Sequence, residues 1–174
     1  MPASYQTPKR GDAQDKTKTV SQSASTNVAK DTATVRKLLE GKGRNVYSIG
    51  PDDTLSAAVA MLRDKRVGAL IVTDASDSLV GILSERDIVR KLAETPGQTL
   101  PQKVSDNMTH KVETCSPDET LVTVLRRMTE GRVRHLPVLD NGTLCGMVTI
   151  GDVVNHRLNE LEHEALQLKQ MIVG

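Results

Sequence analysis

Two short strings have the residue types and spacing to hold a polar ligand: Ser84-x-x-Asp87 and Thr149-x-x-Asp152. A carboxylate accepts both hydrogens of a vicinal diol, and a hydroxyl three residues earlier adds a polar contact on the same helical turn. Charge-assisted bonds of this kind contribute roughly 1.5–3 kcal/mol each. The same spacing is that of a helix capping box, which needs no ligand, so the strings alone leave both readings open. A second group is cationic. Arg132, Arg134 and His135 lie close together, and Arg86 sits inside the first string, where a helix N-terminus already favours anions. Alternation through Val133 on a strand would put Arg132 and Arg134 on one side. Catalysis lacks its parts: the sequence offers no Ser-His-Asp or Cys-His arrangement, paired carboxylates or phosphate-binding glycine loop. His110, His156 and His163 lack the spacing of metal ligands.

The strings recur because the chain repeats itself. Residues from Pro51 (PDDTLSAAVAMLRDKRVGALIVTD) match those from Pro117 (PDETLVTVLRRMTEGRVRHLPVLD) at an offset of 66. Those from Gly81 (GILSERDIV) match those from Gly146 (GMVTIGDVV) at an offset of 65, and the deletion falls in a turn, DASDS against DNGT. Each copy opens with an apolar lead-in, Val46 to Ile49 or Val112 to Cys115. Pro, Asp and Thr then supply N-cap oxygens for a helix with apolar residues at Leu55, Ala58, Val59 and Leu62, or at Leu121, Val124, Leu125 and Met128. A β-branched strand follows (Val67 to Thr73; Val133 to Leu139), then a turn in which Asn141-Gly142 is a hairpin signal. A second strand ends at Ser84 or Thr149, and a second helix begins. The order β-α-β-β-α, twice, predicts an α/β (α+β) fold of two similar halves closed on each other. Two copies are too few for a solenoid.

Before the first copy, Val35, Leu38 and Leu39 predict a short helix halted by Gly41 and Gly43. After the second, Val154, Leu158, Leu161, Ala165, Leu168 and Ile172 recur at intervals of 4, 3, 4, 3 and 4. That heptad seam suits either packing on its own domain or a dimer contact. Residues 1–30 hold eight Ser and Thr, no Leu, Ile or Phe, and charges of +5 and −2, which predicts a flexible tail. The expected division is a tail over 1–30, the first repeat with its leading helix over 31–98, the second repeat over 99–158, and a helical extension over 159–174.

Composition bounds the partners. The 174-residue chain carries 23 Lys and Arg against 22 Asp and Glu, with 1% aromatic residues. It has no general pull toward phosphate backbones and no rings for base stacking, which argues against nucleic acid. The longest strongly apolar stretch, Val67 to Val72, falls far short of the roughly 18 residues of a membrane-spanning helix. Cys115 and Cys145 make no disulfide framework. The N-terminus has neither a secretory apolar core nor an arginine-rich transit pattern, so a cytoplasmic location is expected.

Pro-Asp-x-Thr after each lead-in, RVGALIV and RVRHLPV, then GILSERD and GMVTIGD, together resemble a tandem pair of cystathionine-β-synthase (CBS) domains, a Bateman module, over residues 34–158. ERDIVRKL and the acidic C-terminal helix resemble short stand-alone CBS-pair proteins of bacteria and plant organelles. The resemblance implies two sheets packed about a pseudo-twofold axis and two clefts for an adenosine-containing ligand. AMP is the foremost candidate, with ATP, ADP, NAD or S-adenosylmethionine as others. It further implies that Ser84, Asp87, Thr149 and Asp152 contact ribose, and that Arg134 and His135, helped by Arg132 and Arg86, contact phosphate. Each cleft would combine the [ST]-x-x-D of one copy with the strand of the other, so Thr149 and Asp152 would work with Val67, Gly68 and Ala69. Adenine would meet backbone and apolar walls including Ile82 and Met147. Val133, together with Ser48 and Thr114 in the lead-ins, completes the expected set. Gly68 and Ala69 stand where the second copy has Arg134 and His135, so one cleft should be the more cationic. The function implied is a non-catalytic adenine-nucleotide sensor, homodimeric, that regulates an unidentified protein in trans. The alternative is a dimeric interaction protein whose clefts are structural and empty.

Overall fold

The computed structural model describes residues 33–173; the expected tail over 1–30 lies outside the described residues. Helix α1 (Val35–Lys42) runs through Gly41 and ends at Gly43, whose φ of +94° an L side chain rarely adopts. The first copy then follows as β1 (Ser48–Ile49), α2 (Leu55–Lys65), β2 (Ala69–Thr73), β3 (Leu79–Ser84) and α3 (Glu85–Glu94). The second copy contributes α4 (Leu121–Gly131), β4 (His135–Asp140), β5 (Thr143–Thr149) and α5 (Ile150–Val173). The fold is the expected α+β pair of repeats with a long C-terminal helix.

Local chemistry repeats with the sequence. Thr54 and Thr120 cap α2 and α4, their hydroxyls accepting from the amides of Ala57 at 3.2 Å and Thr123 at 3.3 Å. Both helices end on an arginine in the left-handed region, Arg66 with φ 54° and Arg132 with φ 53°. The next amide reaches back to close the turn, Val67 to the Leu62 carbonyl and Val133 to that of Met128. This corrects one expectation. Arg132 and Arg134 do not alternate on a strand, because the helix-ending turn holds the chain until β4 begins at His135.

The lead-ins differ between copies. In the first, β1 pairs in parallel with β2, and the Ile71 amide donates to the Tyr47 carbonyl at 3.0 Å. The position equivalent to Ile71 is Pro137, which has no N–H to donate. The strand expected over Val112 to Cys115 is accordingly reduced to a single bridge between Cys115 and Val138. One sheet therefore has three strands, β1-β2-β3, and the other only β4-β5.

Each copy has its own core, built from equivalent residues: Leu55, Leu62, Leu70, Val72 and Leu83 in one, Leu121, Met128, Leu136, Val138 and Val148 in the other. Full burial of each such side chain contributes roughly 1.5–3 kcal/mol. The flanking segments cross over. Helix α1, which precedes the first copy, packs Val35, Leu38 and Leu39 into the second core. Val104, in the connection between copies, is fully buried in the first core. The crossing is sealed by backbone hydrogen bonds at the two helix starts. Leu55 N–H donates to the Gln102 carbonyl and Leu121 N–H to the Ala33 carbonyl, each at 2.9 Å.

Helix α5 leaves the body. Along its seam Val154 is 41% exposed, Leu158 52% and Ile172 83%, so the seam does not pack on its own domain. Among the described residues no helix is long and apolar enough to cross a membrane.

Candidate functional site

Strand register brings the two kinds of chemistry together. Ala69 at the start of β2 pairs with Ser84, and His135 at the start of β4 pairs with Thr149, so each sheet presents its hydroxyl string beside the start of the neighbouring strand. The copies meet at those edges. A Cβ on Gly68 would lie 3.1 Å from Nε2 of His135, so the histidine occupies space that glycine leaves open. Two clefts flank this contact, and Gly68 and His135 line both.

Cleft 1 is a cavity of about 340 Å³, within the roughly 300–1,000 Å³ of small-molecule sites. It joins Ser84, Arg86, Asp87 and Ile82 of the first copy to Arg132, Val133, Arg134 and His135 of the second. Arg90, one turn beyond Arg86 on α3, and Lys111 add cations, while Glu85 and Glu113 add carboxylates. Nη1 of Arg86 donates to the Arg132 carbonyl at 3.3 Å, tying the copies across the cleft.

Ser84 and Asp87 form a capping box. The Ser84 amide donates to Oδ2 of Asp87 at 3.0 Å and the Ser84 hydroxyl donates to the same oxygen at 2.6 Å. Oδ1 of Asp87 takes no hydrogen bond among the described residues. The capping and ligand readings of this string are thus compatible: one oxygen caps the helix and the other remains for a donor entering the cleft.

Cleft 2 is smaller, about 190 Å³. Thr149 and Met147 of the second copy line it together with Val67, Gly68 and Ala69 of the first. Asp152 does not line it. Its Oδ2 accepts from the Thr149 amide at 2.9 Å and from the ammonium of Lys42, which itself lines the cleft. Burial works to raise the Asp152 pKa, but the hydrogen bonds from Lys42 and Thr149 outweigh it and hold the carboxyl below its usual value. Ser48 and Thr114 line neither cleft. Ser48 is exposed on β1 beside Ile71, and the Thr114 carbonyl accepts from Nη2 of Arg127 at 2.7 Å. The lead-ins contribute instead through Asn45 to Tyr47 in cleft 2 and Lys111 to Glu113 in cleft 1. Those segments are equivalent under the 66-residue offset, as are Arg66 of cleft 2 and Arg132 of cleft 1, so the repeat itself was the signal that would have found them.

His135 is neutral at physiological pH. Burial first, then the charges of Lys42, Arg134 and Arg86, push its pKa down against the opposing pull of Asp152. Cys115 is buried, and desolvation with the nearby Glu119 pushes its thiol up to about 12, so it is protonated and a poor nucleophile. No group of three metal-ligating side chains occurs among the described residues.

The CBS domain family model matches residues 43–94 and 103–159. A CBS domain-containing mitochondrial protein of Arabidopsis thaliana is 32% identical over 152 residues, covering 83% of this chain and 74% of its own. The crystal structure of a CBS-domain-containing protein from Agrobacterium tumefaciens superposes with a TM-score of 0.71 at 41% identity, covering 72% of this chain and 94% of its own. A CBS domain protein from Pyrobaculum aerophilum, solved in complex with AMP, superposes with a TM-score of 0.61 at 24% identity, covering 68% and 88%.

Proposed function

The chain belongs to the CBS domain family, and from that membership and the geometry of cleft 1 we propose that it is a non-catalytic sensor of an adenine nucleotide, AMP foremost. The observation that carries this reading is the split use of Asp87: Oδ2 holds the helix start while Oδ1 is left for a ligand in a cavity walled by Arg86, Arg132 and Arg134. A ribose diol would donate to Oδ1, the guanidinium groups would take the phosphate, and Ile82 with the backbone would flank the base. AMP in the Pyrobaculum relative supports a nucleotide of this size.

The cleft draws on both copies, so a nucleotide bound there favours one relative arrangement of the two. It regulates a partner protein only through unequal affinity for the two arrangements. The exposed α5 seam fits a second copy of the chain, and a homodimer is part of the proposal. A cytoplasmic location is part of the proposal.

Calorimetric titration with AMP, ATP and NAD tests the reading. AMP is expected to bind the wild type, and Asp87→Ala is expected to weaken it at least about tenfold, the loss of one charge-assisted hydrogen bond. Equal affinity in both proteins would overturn the site. Absence of binding by all three nucleotides would favour a dimeric interaction protein with structural clefts.

A further inference from the structure

We propose that the outer part of α5 pairs with the same segment of a second chain as a parallel, in-register, two-stranded coiled coil, which sets the two cleft-bearing bodies side by side at one end of the seam. The inference rests on the homodimer in the sensor reading and fixes the orientation of that dimer.

Helix α5 is anchored at its start and bare beyond it. Val153 is buried in the second core and Asp152 bonds Lys42, whereas every residue from Leu161 to Ile172 is exposed. A helical stretch of about a dozen residues with no packed face is marginal in water. Yet this one carries a single apolar stripe, with Leu158, Ala165 and Ile172 at a and Val154, Leu161 and Leu168 at d of a heptad. Leu161 is 46% exposed and Leu168 59%. Leucine at these two d positions and isoleucine at the last a position suit two strands.

The flanking charges choose the orientation. In this frame Arg157 and Glu164 take g, while Glu162 and Lys169 take e. A parallel pair sets each g beside the e five residues further along its partner, so Arg157 meets Glu162 of the partner subunit and Glu164 meets Lys169 of the partner subunit. Every such contact joins opposite charges. An antiparallel pair with the same apolar layers sets g against g and e against e, which brings Glu164 against Glu164 of the partner subunit and Glu162 against Glu162 of the partner subunit. Those contacts repel. Arg157 also donates to Glu160 of its own helix at 3.3 Å, but a guanidinium has five donors, so that bond does not preclude a second carboxylate.

Oxidative cross-linking and sedimentation equilibrium of the full chain test the inference. Leu168→Cys is expected to form an interchain disulfide on mild oxidation, beyond any that Cys115 and Cys145 give in wild type, because d faces d in the parallel pair. In the antiparallel pair the two positions lie about 15 Å out of step along the axis. At low ionic strength Glu164→Lys and Lys169→Glu are each expected to raise the dimer Kd at least about fivefold, and the Glu164→Lys/Lys169→Glu double variant to return it to within about twofold of wild type. Circular dichroism confirms that each variant remains folded. A wild-type dimer that Leu168→Cys fails to cross-link, or a double variant as weak as the single ones, would overturn the inference while leaving the homodimer intact. A monomeric wild type would overturn the homodimer and the inference together; AMP titration of the same protein decides the nucleotide reading separately.

Discussion

Asp87 caps a helix through one oxygen and, on the proposed reading, meets the ligand through the other, because the capping box uses only one of its two carboxylate oxygens. The sequence shows the four-residue string but not which oxygen is engaged, so it leaves capping and binding as alternatives, whereas the geometry makes them compatible. His135 illustrates a different limit. Its type and position suggest a phosphate cation, yet the packing against Gly68 and the surrounding Lys42, Arg86 and Arg134 keep it neutral, and such burial follows only from the meeting of the two copies. With a depressed folded pKa, neutral His135 contributes stability above the unfolded value of about 6.5 that is lost as pH falls through the folded value. A phosphate placed beside the ring shifts the balance the other way, raising the pKa, so binding should draw in a proton. The check is AMP binding enthalpy at pH 6 in buffers of different ionisation heat. Proton uptake should be greater in wild type than in His135→Gln, and equal uptake in the two would contradict contact between His135 and the phosphate.

At the scale of elements, the periodicity of the helices and the alternation of the strands are readable because each copy buries one stripe against one sheet. What chain order conceals is the crossover. Helix α1 stands beside the first copy in sequence and fills the second core in space, while Val104 does the reverse. The two copies therefore cannot unfold independently. Leu39, 2% exposed, is expected to cost about 2–5 kcal/mol on substitution by alanine, seen as one lowered transition in urea rather than selective melting of either copy. Two separated transitions would show that the exchange does not couple them. Pro137 is a case where the sequence contained the answer: a residue without an N–H at the position of Ile71 forbids the lead-in strand that the first copy forms.

At the scale of the whole molecule, two copies of one pattern give two unlike clefts. Among the departures that distinguish the clefts are Arg134 and His135 in the second copy against Gly68 and Ala69 in the first. Cleft 1 collects the greater number of cations, partly offset by Glu85 and Glu113, whereas Lys42 in cleft 2 is already committed to Asp152. On the proposed reading, a nucleotide in cleft 1 would act across the interface that Arg86 and the Arg132 carbonyl already span. The most direct measurement is a crystal structure grown with saturating AMP. The ribose is expected within hydrogen-bonding distance of Oδ1 of Asp87, with the phosphate among Arg86, Arg132 and Arg134; AMP seated elsewhere, or cleft 1 empty at saturation, would contradict the assignment.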